Sequence, residues 1–206
     1  TNTIVKNNYQ KTALLLIPGP GLTQDWPDFS TTNISGYINH RGQEIQAIDK
    51  GEVIAAVNKL LDSGIKKIGV CGKFATRNPE QELKVKKIIE NNFPELETIS
   101  LSHQLTPKLN FPRRQITTYF NRALYESHQN FMTNIKSGFA ELNLNCPIYL
   151  LKADGGTISL KKAKQVPIET INSGPSASIM GILALTKPQK NTLGIDIGGT
   201  TTDISL

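Results

Sequence analysis

Cysteine is scarce in this chain: two in 206 residues, in no CxxC or Cys/His ligand spacing. That excludes a disulfide framework and a thiolate zinc site, and predicts Cys71 and Cys146 as small buried thiols of a reducing compartment, the cytoplasm. His40, His103 and His128 are equally scattered and add no zinc set. Aromatic residues make up 6%, and none interleaves with the lysine clusters at 66–67, 84–87 and 161–164. A single-strand nucleic-acid platform needs that interleaving, so the net charge of +6 reads as solvated lysine and no nucleic acid is expected. No apolar run nears membrane-spanning length and no targeting pattern opens the chain, so no membrane is expected either. Thr1 is not a methionine and Leu206 falls inside an expected strand. Both features predict a piece of a longer protein.

What remains is an ordinary globular composition, 38% hydrophobic and 19% charged, in a chain long enough for one large or two small domains. Residues 13–17 (ALLLI) predict a buried strand, followed by a turn-rich loop from Pro18 to about Thr32. Residues 34–39 and 44–48 flank His40-Arg41-Gly42-Gln43 and predict a hairpin. Asp49 with Glu52 is a capping-box pattern ahead of the apolar stripe Val53, Ile54, Val57, Leu60, Leu61, and Gly64 stands where a helix stops. Residues 67–71 predict a strand, Asn78-Pro79 opens a helix to about Asn92, and 98–101 predict another strand. This alternation implies crossovers and a partly parallel sheet. From Pro112 a helical stripe runs to about Asn143, with an interruption expected near Ser127-His128-Gln129. A hairpin turning at Ala153-Asp154-Gly155-Gly156 and a small-residue helix from Ser173 to about Leu185 follow.

The chain closes on LGIDIGGTTTDISL, residues 193–206. An apolar strand enters a Gly198-Gly199 turn with three threonines, flanked by Asp196 and Asp203. Two missing Cβ atoms let backbone approach an anion and adopt positive φ, and successive N–H groups with Thr200, Thr201 and Thr202 hydroxyls suit an anion-binding nest. Asp196 and Asp203 are the candidate Mg²⁺ ligands, through water, with orientation of a water by either acid as the alternative role. The plain alternative is a β-turn between core strands.

DIGGTTTD resembles the phosphate motifs of the actin, sugar-kinase and heat-shock-chaperone ATPase superfamily. Ser35-Gly36-Tyr37-Ile38 with His40-Arg41-Gly42, then Asn78-Pro79-Glu80-Gln81-Glu82, Leu101-Ser102-His103, Lys152-Ala153-Asp154-Gly155-Gly156 and Ser173-Gly174-Pro175 stand in an order that resembles the hydantoinase/oxoprolinase family, in particular its A-type part. The resemblance implies an α/β, ribonuclease-H-like (actin-like ATPase) fold, present in part, with mixed sheets and flanking helices. It implies residues 1–109 as the remainder of the N-terminal family domain and 110–206 as the start of the second, ending at its phosphate loop. It implies ATP and Mg²⁺ as cofactors, with Gly198, Gly199, Thr200, Thr201 and Thr202 on phosphate. The activity implied is ATP-dependent opening of a cyclic amide, with a B-type subunit or domain as partner and an oligomeric whole protein. A ketone carboxylase of the same family and a non-catalytic assembly module are the alternatives. No catalytic residue is assigned. Because a first phosphate loop and an adenosine segment are expected outside these residues, the chain by itself is expected to turn over no ATP.

Three further features carry two readings each. Asp154-Gly155-Gly156 reads as a hairpin turn or a cleft lining, and Ser173-Gly174-Pro175 as a helix cap or an anion-facing N-terminus. His103 reads as structural or as a cleft residue. Arg113-Arg114, poorly placed for a helix dipole, reads as an exposed pair or a contact for an anionic partner.

Overall fold

The structure, a computed structural model, describes residues 2–21, 29–96, 98–186, 191–199 and 201–206. In chain order the elements are α1 (Asn2–Val5), β1 (Thr12–Ile17), β2 (Ser30–Asn33), β3 (Tyr37–Ile38), β4 (Glu44–Gln46), α2 (Lys50–Asp62), β5 (Lys67–Gly72), α3 (Glu80–Asn92) and β6 (Ile99–Leu101). Then come α4 (Ser102–Leu105), α5 (Phe111–Ala123), α6 (Tyr125–Glu141), β7 (Tyr149–Leu151), β8 (Thr157–Ser159), α7 (Leu160–Ala163), α8 (Ser173–Thr186), β9 (Gly194–Ile197) and β10 (Thr202–Ser205). No helix among the described residues is long and apolar enough to cross a membrane.

The chain divides into two compact units, Gln10–Ala123 and Leu124–Leu206, the second taking in the first residues up to Tyr9. The division falls inside the helical stretch, between α5 and α6.

In the unit Gln10–Ala123, four strands pair in parallel in the order β2-β1-β5-β6. Alternation along β1 sends Ala13, Leu15 and Ile17 to one face, where they pack with Ile68, Val70, α2 (Val53, Val57, Leu60) and α3 (Val85, Ile88, Ile89). The other face takes α5. Leu14 pairs with Gly69, and a Cβ there would stand 2.7 Å from Leu14 Cδ2 and 2.8 Å from Thr118 Cγ2, so only glycine admits α5 this closely. A parallel sheet covered on both faces explains why β1 is buried at every residue and shows no polar alternation.

The local signals around α2 act as written in the sequence. Asp49 Oδ1 accepts from Glu52 N at 2.7 Å, and Gly64 at φ +75° ends the element. The capping box is only half made, because Glu52 Oε2 accepts from Ser35 N at 2.8 Å instead of reaching back to Asp49. That bond holds the bend at Gly36, whose φ of +145° and crowding by Ile48 and Ile17 require glycine. The helix α3 starts at Glu80, not Pro79, and Asn78 Oδ1 accepts from Glu80 N. One expectation fails outright: the loop to Thr32 already contains β2, which pairs with β1 from Ser30 to Asn33. The polar edge strand STTN carries no apolar alternation to announce it.

The unit Leu124–Leu206 holds three smaller pieces. The hairpin β7–β8 and α7 pack on α6 through Met132, Ile158, Leu160 and Ala163. The helix α8 follows a 3-10 turn at Pro167–Thr170, and β9–β10 form the closing hairpin. The expected long helix is broken at Leu124, three residues before the predicted interruption. Parallel and antiparallel pairing both occur, in separate sheets.

Candidate functional site

The closing motif forms the antiparallel hairpin β9–β10, in which Asp196 and Asp203 face each other in register. The strand period puts both on the face toward α8, where Ser178 Oγ donates to Asp196 Oδ2 at 2.5 Å. Thr201 Oγ1 donates to Asp203 Oδ2 at 3.3 Å, and Gly198 N donates to Thr201 O at 2.9 Å across the turn. Neither Gly198 nor Gly199 has positive φ, which corrects that expectation. Space is tight only at Gly198, where a Cβ would lie 3.2 Å from Thr201 O; one on Gly199 would meet nothing within 4 Å.

A cleft of about 530 Å³ opens on this turn. Asp196, Gly198, Gly199, Thr201 and Asp203 line one side. Ser173, Gly174 and Pro175, at the start of α8, line another, with Thr170, Phe131 and the N-terminal Asn2 and Thr3. Thus two sequence features read separately, the Gly-Gly turn and the Ser-Gly-Pro helix start, meet at one cavity. Thr202 is not among the lining residues; it shares the opposite face of the hairpin with Ile204. Thr200 lies outside the described residues. Among the described lining residues there is no lysine or arginine. No group of three or more His, Cys, Asp or Glu side chains that could hold a metal occurs among the described residues. Among the described lining residues of this cleft, Asp196 and Asp203 are the carboxylates.

The remaining candidates resolve differently. Asp154 sits in a hairpin loop, accepting from Gly156 N at 2.9 Å and from Lys152 Nζ at 2.7 Å; the Lys152 bond holds its carboxyl below the usual range. It does not line the cleft. Arg113 is exposed, whereas Arg114 is fully buried and donates to Gly72 O and Ser102 Oγ, both at 2.7 Å, and to Lys73 O. Its partners are internal, which corrects the reading of both arginines as one exposed pair or an anion contact. His103 Nδ1 meets the fully buried Glu82 carboxylate at 2.6 Å. Glu82 also accepts from Gly72 N at 2.7 Å, Ser102 Oγ at 2.5 Å and His103 N at 3.1 Å. This seam ties the carboxyl ends of β5 and β6 together. Burial, opposed by Arg114 and reinforced by Glu82, pushes the Cys71 thiol beneath it up to about 12. Cys146, expected buried, is exposed.

Sequence reading missed a second chamber, of about 330 Å³, that shares Thr3, Phe131, Thr170 and Ser173 with the cleft. Its buried imidazole, His128, bonds Ala163 O at 3.0 Å, and burial lowers its pKa. No motif announces it, since its walls come from Thr3, from Leu124 and α6, and from residues 167–173.

The sheets and helices of the two units define an α/β protein, and the unit Leu124–Leu206 holds an acid- and hydroxyl-lined cleft at a Gly-Gly turn. The family comparison says which kind. The hydantoinase/oxoprolinase model matches residues 114–206, and the model of the hydantoinase/oxoprolinase N-terminal region matches residues 1–93. The chain belongs to the hydantoinase/oxoprolinase family. It is 25% identical over 175 residues to caprolactamase subunit alpha of Pseudomonas jessenii, covering 84% of this chain and 25% of that protein. It is 23% identical to 5-oxoprolinase of Saccharomyces cerevisiae, covering 99% of this chain and 16% of that protein. A nucleotide-free structure of acetone carboxylase, from ATP-dependent acetone carboxylation, superposes with a TM-score of 0.85 at 21% identity, over 99% of this chain and 33% of that one. The α/β fold is therefore shared with acetone carboxylase. The chain spans a quarter or less of the length of these two curated relatives.

Proposed function

We propose that this chain supplies one wall of the nucleotide-phosphate site of an ATP-dependent enzyme that opens cyclic amides. The observation that carries it is the facing pair Asp196 and Asp203 in a cleft whose described lining residues offer hydroxyls and backbone and no basic side chain. Two carboxylates without a cation repel an incoming phosphate, so an anion enters here only in company with a divalent ion. The donor set fits Mg²⁺, which takes one or two carboxylates and keeps several waters. Asp196 and Asp203 would hold it, and Gly198, Gly199, Thr200, Thr201 and the start of α8 would meet phosphate oxygens. Thr202, on the opposite face of the hairpin, would reach phosphate only through its backbone. Bound there, Mg²⁺ would draw charge from the β- and γ-phosphates during transfer.

Cyclic amides are poor electrophiles. Phosphorylating the amide oxygen at the expense of ATP makes the ring carbon open to water, and that is the use of the nucleotide in this reading. The reading extends to a ribonuclease-H-like fold for the lobe, to regions 1–109 and 110–206 as the two family domains, and to a B-type partner in a cytoplasmic oligomer. It is supported by the family membership and by relatives named as amide-opening enzymes.

Calorimetric titration of the whole protein with Mg-ATP tests it, with Asp203→Asn and Asp196→Asn alongside. Each substitution is nearly isosteric and is expected to weaken binding at least tenfold while the circular dichroism stays unchanged. Nucleotide affinity indifferent to both would sink the reading. Product analysis with a lactam, and with a ketone plus bicarbonate, separates amide opening from carboxylation.

A further inference from the structure

Asp196 and Asp203 line two spaces. One is the cleft, and the other is a smaller space of about 80 Å³ beside α8, lined also by Ser178, Ile182 and Gly194. Ser178 belongs to that second space and not to the cleft, yet its Oγ donates to Asp196 Oδ2 at 2.5 Å. It therefore reaches the carboxylate from outside the space in which a nucleotide would lie.

Two contacts fix α8 against β9. Ser178 bonds Asp196, and Ile182, one turn further on, stands so close that a Cβ on Gly194 would lie 3.0 Å from its Cδ1. Four residues of helix rise about 6 Å and two of strand about 6.6 Å, so a helix running opposite to the strand makes both contacts at once. The same helix begins at Ser173-Gly174-Pro175, which line the cleft. The Ser178 bond thus ties the carboxylate pair to the helix start.

Like charges opposite each other on paired strands push apart, and the terminal torsion of an aspartate is broad, so the pair does not orient itself. Ser178 engages Oδ2 of Asp196 and Thr201 engages Oδ2 of Asp203, which leaves Oδ1 of each as the oxygen not held by these hydroxyls. The two donors differ in origin. Thr201 belongs to the turn and travels with it, whereas Ser178 comes from a separate element. Carboxylates that each present one oxygen suit a cation that keeps several waters. They serve poorly a cation that wants about six to eight oxygens and often takes both from one carboxylate.

We propose that Ser178 is a positioning residue for the divalent-ion site: its hydroxyl sets which oxygen of Asp196 is presented, keeps that acid in step with the start of α8, and so favours Mg²⁺ over Ca²⁺. This rests on the nucleotide-site reading above.

Isotope-labelled chain is titrated with magnesium chloride and, separately, with calcium chloride at matched ionic strength, followed on the Gly198, Gly199 and Thr201 amides. Removing the hydrogen-bond partner of a metal ligand typically costs about tenfold or more in affinity, so Ser178→Ala is expected to weaken Mg²⁺ about tenfold. Ca²⁺, which can take both oxygens of the released carboxylate, is expected to change little, so the ratio of the two affinities shifts. Ser178→Thr keeps the hydroxyl and is expected to restore the wild-type ratio. Ser178→Cys, close in shape with a much weaker donor, replaces the alanine variant should that one fail to fold. Ile182→Ala loosens the same helix–strand contact without touching the hydroxyl, and is expected to leave the ratio alone. Equal weakening of both ions, or the same shifted ratio in Ile182→Ala, makes Ser178 a packing residue and overturns the proposal. A wild-type chain that binds neither ion defeats the nucleotide-site reading and this proposal with it, whereas bound ions with a ratio indifferent to Ser178→Ala defeat this proposal alone.

Discussion

Replacing Glu82 by alanine should cost the unit Gln10–Ala123 more stability than any other single exposed-looking change in its helices. The side chain is fully buried and takes hydrogen bonds from Gly72 N, Ser102 Oγ, His103 N and His103 Nδ1. Arg114, also fully buried, donates to the carbonyl of the same Gly72 and to the same Ser102 hydroxyl. Ser102 Oγ donates to the carboxylate and accepts from the guanidinium, so the two charges are joined through one hydroxyl. Alanine removes the anion and leaves the cation buried, a loss of about 3–5 kcal/mol. Against a domain stability of about 5–15 kcal/mol, that brings the unit close to unfolding. Glu82→Gln keeps the shape but turns an acceptor into a donor facing His103, at about 1.5–3 kcal/mol. Urea unfolding followed by circular dichroism gives the magnitudes, and pulsed alkylation of Cys71 reports opening of this seam specifically. A Glu82→Ala cost under about 1 kcal/mol would refute the account, because charged-group hydrogen bonds alone exceed that figure.

The same thiol gives a direct check on burial. In the folded chain an alkylating reagent at neutral pH is expected to label Cys146 and spare Cys71, whose thiol is held up near 12, and mass spectrometry reads the sites. Lowering the pH should weaken the unit Leu124–Leu206 through His128. Its folded pKa is lowered, so below the ordinary 6.5 the unfolded chain binds the proton and the folded one does not. Stability is therefore full above about 6.5 and falls as pH drops toward the folded pKa, and His128→Gln should flatten that slope in thermal melts. Asp49→Ala removes the cap on Glu52 N and should cost about 1 kcal/mol by chemical denaturation.

Much of this structure is written locally. The ALLLI and KIGVC runs announce β1 and β5 because both faces of their sheet are covered, and Asp49 and Gly64 mark α2 by rules that act within a single turn. What escaped reading depends on partners distant in sequence. Glu82 stands in the first turn of α3, where acidic residues are ordinary on a solvated surface, and nothing nearby says that Ser102 and Arg114 will close over it. Arg114 looks like half of an exposed pair until α5 packs on the sheet and splits it from Arg113. At the site, the acids, glycines and Thr201 were legible in DIGGTTTD, and the meeting of that turn with the start of α8 was hinted at by Ser173-Gly174-Pro175. The chamber was invisible, since its walls come from segments far apart in sequence, from Thr3 to Ser173.

The facing carboxylates make one more demand, and it is measurable on the chain itself. Like charges directly opposite each other on paired strands destabilise, by up to about 1 kcal/mol. A hairpin of four-residue strands has little stability to give away, so Asp196 opposite Asp203 is a poor choice for a turn that only connects. Without divalent ions, Asp203→Asn should therefore raise the thermal stability of the unit Leu124–Leu206. With Mg²⁺ in excess the order should invert, because a ligand bound only to the folded state adds RT ln(1 + [L]/Kd) to the wild type and little to the variant. The gain should disappear equally in Asp196→Asn and should not be reproduced by monovalent salt at matched ionic strength, which screens repulsion without bridging it. Melts in which the wild type ignores Mg²⁺, or in which Asp203→Asn destabilises the metal-free chain, would return this hairpin to the status of a plain turn.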